Sequence, residues 1–209
     1  MLIREACVET FQEALKAQEL GAERIELCAR LDLGGITPSY ALIGSIRKEL
    51  SIPIMVMIRP RGGNFVYDPM EIKIMRQNIE TCKKIGITGV VFGLLQRSGR
   101  IDPKQTEKLV ELAYPLEVTF HKAIDETPDP VAAIEELILI KGLTRVLSSG
   151  GADTALAGAS VLNEMIDRAE SKLIVIAGGK VTSDNLEEVA KTIHTSEFHG
   201  KKIVGPLKG

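Results

Sequence analysis

The chain has 209 residues, with 26 basic and 28 acidic side chains and a formal net charge of −2, a balance that offers no electropositive surface to a polyanion. It has no Trp, three Tyr and five Phe, too few rings to stack the bases of a single-stranded nucleic acid. It also lacks any apolar run of the roughly 18 residues that a membrane-crossing helix needs.

The first segment, MLIREACVE, is broken by Arg4 and Glu5 and does not read as a signal peptide. Three cysteines, at 7, 28 and 82, form no CxxC pair and predict a reducing, cytoplasmic setting rather than a disulfide scaffold. In chain order, short apolar or β-branched runs occupy 2–7, 24–28, 54–58, 88–93, 116–121, 144–148, 173–177 and, more weakly, 196–199. Segments of helical periodicity separate them. Ile72, Met75, Ile79 and Cys82 share one face, which assigns Cys82 to core packing. Thr37-Pro38, Asp68-Pro69, Asp102-Pro103 and Asp129-Pro130 read as helix starts, each a capping side chain before a proline. Gly21, Gly86 and Gly142 read as helix ends.

Eight strands with seven intervening helices predict a parallel α/β fold, closed as a compact (β/α)8 barrel of the TIM type in one domain over 1–209. An open doubly wound sheet is the alternative, but no GxGxxG follows the first strand. Ten residues, GKKIVGPLKG, follow His199, too few for a loop and an eighth helix. The expectation is that this helix is missing or replaced and that a second copy of the chain covers the flank, giving a homodimer.

Strand side chains alternate between two faces. In PLEVTFHKAID (115–125), Leu116, Val118 and Phe120 face the helices, so Glu117, Thr119 and His121 face the barrel interior. The same parity sends inward Glu5 and Cys7, then Arg24, Glu26 and Cys28, then Met55, Met57 and Arg59. Charges inside a barrel are costly unless paired, and Arg24 and Glu117, early in their strands, suit a structural ion-pair layer. Glu5, Glu26, Arg59 and His121 lie toward strand C-terminal ends, where barrel enzymes carry their sites. The following loops carry Arg59 and Arg61 on RPRGGN, then Ser149, Gly150 and Gly151 on SSGG, then Gly178 and Gly179 on AGGK. Backbone amides on such glycine pairs can hold an anion, although tight βα turns use the same residues.

Seven segments in order, RIELC (24–28), GGITPS (34–39), MIRPRGGNFVY (57–67), VVFGLL (90–95), TFHKAID (119–125), LSSGG (147–151) and EFHG (197–200), make the chain resemble the CutC family. The resemblance spans nearly the whole chain. It implies a cytosolic (β/α)8 barrel, commonly dimeric in bacteria and linked by name to copper tolerance, and it assigns no reaction. Two functions follow. A copper homeostasis protein would bind Cu(I) with soft ligands, Cys7 and Cys28 on adjacent strands, with His199 and, as possible additions, Met55, Met57 and His121. An enzyme acting on a small phosphorylated or carboxylated metabolite would hold it with Arg59, Arg61 and the Gly-Gly loops and use Glu5, Glu26, His121 or Asp125 as acid and base. Parity turns Lys122 outward and Lys180 lies in a loop, which disfavours Schiff-base chemistry.

Overall fold

The computed structural model describes residues 2–207 and is a closed barrel of eight parallel strands in the order β1 to β8. The strands are β1 (Ile3–Val8), β2 (Arg24–Leu27), β3 (Ile54–Met57), β4 (Gly89–Phe92), β5 (Glu117–Phe120), β6 (Arg145–Ser148), β7 (Ile174–Ala177) and β8 (Glu197–Gly200). The helices are α1 (Phe11–Glu19), α2 (Tyr40–Glu49), α3 (Pro69–Ile85), α4 (Pro103–Ala113), α5 (Pro130–Leu137), α6 (Ala159–Ala169) and α7 (Leu186–Thr192). The outward residues, Ala6 and Val8, Ile25 and Leu27, Ile54 and Val56, Val118 and Phe120, are buried in one apolar cluster between strands and helices. Burial on this outer face fixes the register, because a one-residue slip would turn every one of them inward.

Asp68, Asp102 and Asp129 each accept backbone N–H groups at the start of a helix whose first residue is proline. Thr37-Pro38 departs from this pattern. Ser39 caps α2, while the Thr37 hydroxyl bonds the Arg59 backbone N–H at 2.8 Å and its carbonyl at 3.1 Å. Thr37 therefore ties the second βα loop to the third. Gly86 closes α3 at φ +76°, a backbone region that favours glycine.

No helix follows β8 among the described residues. Ile203 and Val204 belong to the same buried cluster as Ala6, Val8 and the fully buried Phe198, and Leu207 packs on it. The chain's own residues thus pack against this flank. None of the described helices is long and apolar enough to cross a membrane.

Candidate functional site

Two layers of charge occupy the barrel interior. In the lower one, buried Arg24 bridges Glu5 and Glu197, and Arg145 joins Glu197 at 3.0 Å to Glu117. Arg24 and Glu117 are therefore members of a structural ion-pair layer, with the Glu117 side chain 42% exposed at its edge. Glu197 and Arg145 complete it; strand parity from His199 already points Glu197 inward. Glu5 belongs to both layers, because its other oxygen meets His199 Nδ1 at 2.8 Å.

Above lies the mouth at the strands' C-terminal ends. Cys7 Sγ and Cys28 Sγ both lie 3.4 Å from one oxygen of Glu26, and His199 Nε2 lies 3.6 Å from that same oxygen. A ligand atom from each of Cys7, Glu26 and His199 falls within 4.8 Å of the others. The second Glu26 oxygen, Oε1, is buried with no hydrogen-bond partner among the described residues. Met55 and Met57 pack with the two cysteines and Val91.

The site's proton distribution follows from these contacts. The hydrogen bond with Cys28 brings the Cys7 thiol down to about 5 against its burial, and His199 adds to the effect. Cys28, the other partner of that bond and buried, is pushed well up. Burial raises Glu26 to about 8, with His199 opposing. Burial would lower His199, but Glu26 and the Cys7 thiolate hold it well above its ordinary value. Glu5, despite burial, stays at about 2 because Arg24 and His199 face it. At neutral pH the mouth therefore pairs a thiolate with an imidazolium beside a protonated Glu26. Glu5 is a fixed anion that orients His199.

A cavity of about 450 Å³ opens from this cluster and reaches Arg59, Phe65 and His121 on the opposite wall. His121 accepts the Ala123 N–H on Nδ1 at 3.2 Å, and burial followed by the Arg59 charge lowers it to about 3. It is a neutral ring at neutral pH, not a titrating acid or base. Arg59 donates to the carbonyls of Leu33, Gly35 and Gly63 and lies 4.6 Å from the Phe65 ring centre. Arg61 is spent on Glu71 and the carbonyls of Gly62, Asn64 and Val66. Both guanidiniums staple their loop.

The SSGG amides are likewise occupied. Asp125 accepts the N–H groups of Ser149 and Gly151 at 3.0 Å, and Gly150 N–H goes to the Ser148 hydroxyl. Gly178 N–H bonds the Ser148 carbonyl, and a Cβ on Gly179 would meet the Ser149 Cβ at 2.9 Å. On the SSGG loop the amides of Ser149 and Gly151 thus meet the chain's own Asp125, whose role here is to hold the loop. Lys122 requires a correction. β5 ends at Phe120, a 3-10 turn runs over Lys122–Glu126, and strand parity no longer applies. Lys122 lines the cavity and meets Asp125 at 2.7 Å. Lys180, Lys201 and Lys202, which sequence reasoning left out of the site, also line it; the KK pair directly after EFHG was the available signal.

The profile of the CutC family matches residues 2–204. The copper homeostasis protein cutC homolog of Mus musculus is 41% identical over 94% of this chain and 72% of its own length. A CutC family protein of Vibrio vulnificus is 42% identical over 93% of this chain and 78% of its own. The solved structure of copper homeostasis protein CutC from Streptococcus agalactiae superposes with a TM-score of 0.92 at 31% identity, covering 97% of this chain and 100% of that one. A barrel matched to this family over residues 2–204, and to these relatives over more than nine-tenths of the chain, belongs to the CutC family of copper homeostasis proteins.

Proposed function

We propose that the mouth binds Cu(I) as cargo in a reducing compartment, through the sulfurs of Cys7 and Cys28 with His199 Nε2 as third ligand. The observation that carries this reading is the convergence of sulfur, imidazole nitrogen and carboxylate within 4.8 Å at the end of a cavity. Thiolates select Cu(I), and Cys7, brought down to about 5, has no proton to shed on binding. The register supports an ion over a disulfide. Cys7 pairs with Glu26, so Cys28 stands two residues further along the neighbouring strand. Strand spacing and rise put the two Cα atoms about 8 Å apart, beyond the roughly 7 Å that a disulfide spans. The Glu5 contact on His199 Nδ1 is the carboxylate support that ligating histidines usually have.

The test is an anaerobic Cu(I) titration of the reduced protein against a competing chelator. One-to-one binding that is lost in Cys7→Ser/Cys28→Ser and kept in Arg59→Ala is expected. Binding unchanged by the double substitution would remove the reading.

A second reading is favoured by the cavity's size. At about 450 Å³ it is more than ten times the roughly 30 Å³ share of a water molecule. That is room for a small organic molecule. An enzyme acting on an anionic metabolite would use the same thiolate, imidazolium and protonated carboxyl as its acid and base.

A further inference from the structure

The second reading leaves open where an anionic ligand would be held, since the Arg59 and Arg61 guanidinium NH groups and the amides of Ser149, Gly150, Gly151 and Gly178 bond within the chain. Two unexplained features share the cavity. The first is His121. Its Nδ1 accepts a backbone N–H, so in the neutral ring the proton sits on Nε2. Nε2 is buried and has no partner among the described residues, and neither has Nε of Arg59. The rings of His121 and Phe65 stand 4.8 Å apart, and the Arg59 guanidinium also lies against Phe65. Phe65, Arg59 and His121 all line the same cavity.

The second feature is the lysine rim. Of Lys122, Lys180, Lys201 and Lys202, only Lys122 is ion-paired among the described residues. Lys180 sits at φ +56°, a backbone region uncommon for residues other than glycine and strained without compensation. Asn185 holds it there, accepting the Thr182 N–H at 2.8 Å and donating to the Lys180 carbonyl at 3.0 Å. The chain thus spends a fixed turn on placing a lysine at the mouth.

We propose that this cavity takes a small organic phosphate whose anionic group is held by Lys180, Lys201 and Lys202 and whose carbonyl oxygen accepts the Nε2–H of His121. The proposal rests on the enzyme reading and names the ligand class and the groups that read it. The polar wall of Cys7, Glu26 and His199 then faces the carbon skeleton between the two anchored ends.

Calorimetric titration at low ionic strength with inorganic phosphate and with dihydroxyacetone phosphate tests it. Dihydroxyacetone phosphate should bind about tenfold more tightly than phosphate, the increment of one donor to a carbonyl in a buried site. Lys180→Gln/Lys202→Gln should weaken both probes by about tenfold or more, since it removes two charged contacts from exposed positions. His121→Asn, which keeps an acceptor for Ala123 N–H but has no Nε2–H, should remove the advantage of dihydroxyacetone phosphate and leave phosphate unchanged. If neither probe binds, both this proposal and the anion reading beneath it fail. If both bind but the lysine pair has no effect, the anion reading survives and this placement does not. Equal losses for both probes in His121→Asn would overturn the carbonyl assignment.

Discussion

His121 carries a pH signature whose size follows from its surroundings. Burial, and then the Arg59 charge, hold the folded-state imidazole at about 3 against an ordinary value of 6.5. Between those values the unfolded chain binds a proton that the folded chain refuses. The group's contribution is therefore fully present above about pH 6.5 and is lost as pH falls toward 3. Integrated from pH 7 to pH 5, the loss is about 2 kcal/mol. Urea unfolding of the wild type and His121→Asn at pH 7, 6 and 5 would measure it. Glu5, Glu26 and His199 titrate in both proteins and largely cancel in the comparison. The wild type's advantage over the variant should shrink by about 2 kcal/mol across that range. Parallel stability profiles would mean that His121 is protonated or solvated in the folded protein, and the neutral Nε2–H donor would go with it.

Four further outcomes are expected. A Cβ added at Gly93 would lie 2.5 Å from His121 Nδ1 and 3.1 Å from the Ala123 Cβ. Gly93→Ala should therefore destabilise by about 1–3 kcal/mol, read as a lowered denaturation midpoint. Arg24→Met removes the buried cation between Glu5 and Glu197, leaving them only His199 and Arg145, and should cost about 3 kcal/mol, most of it recovered when Glu5→Gln is added. Asp125→Asn should cost about 2 kcal/mol and, in hydrogen exchange, deprotect the amides of Ser149 and Gly151 before those of the strands. Alkylation followed by mass spectrometry separates the cysteines. Cys7 should react first near neutral pH, while Cys82, which burial pushes up to about 12, should react only on unfolding.

The barrel was legible in the sequence because it depends on two local periods. Period two along each strand placed Glu5, Cys7, Glu26, Met55 and Met57 inside, and they are inside. The same rule misplaced Lys122, because it holds only while the chain stays extended, and β5 ends two residues earlier. The SSGG loop was misread for a different reason. Local sequence shows that amides are available but not which acceptor reaches them first, and Asp125 lies 24 residues before Ser149. Arg59 and Arg61 repeat the lesson, since carbonyls of nearby loops claim them. The Cys7–Glu26–His199 cluster depends on closure. Nothing within β1 or β8 alone announces that Glu5 pairs with His199 across the seam of the barrel.

That seam explains why the two charge layers form one device. His199 rests as an imidazolium, and it would be an ambiguous ligand or base if either ring nitrogen could give up its proton. Glu5, anionic at any physiological pH, takes Nδ1–H and leaves Nε2 facing Glu26 and Cys7. Glu5 can stay anionic while buried because Arg24 neutralises it from below, and Arg24 is itself fixed by Glu197 on the strand that carries His199. The lower layer therefore does more than fill the barrel; it sets the tautomer of the mouth. Arg24→Met with Glu5→Gln should restore much of the stability but not the orientation of His199, so whichever ligand the mouth takes should bind more weakly in that folded variant. A stable double variant with unchanged Cu(I) affinity and unchanged phosphate affinity would show that the layers are independent.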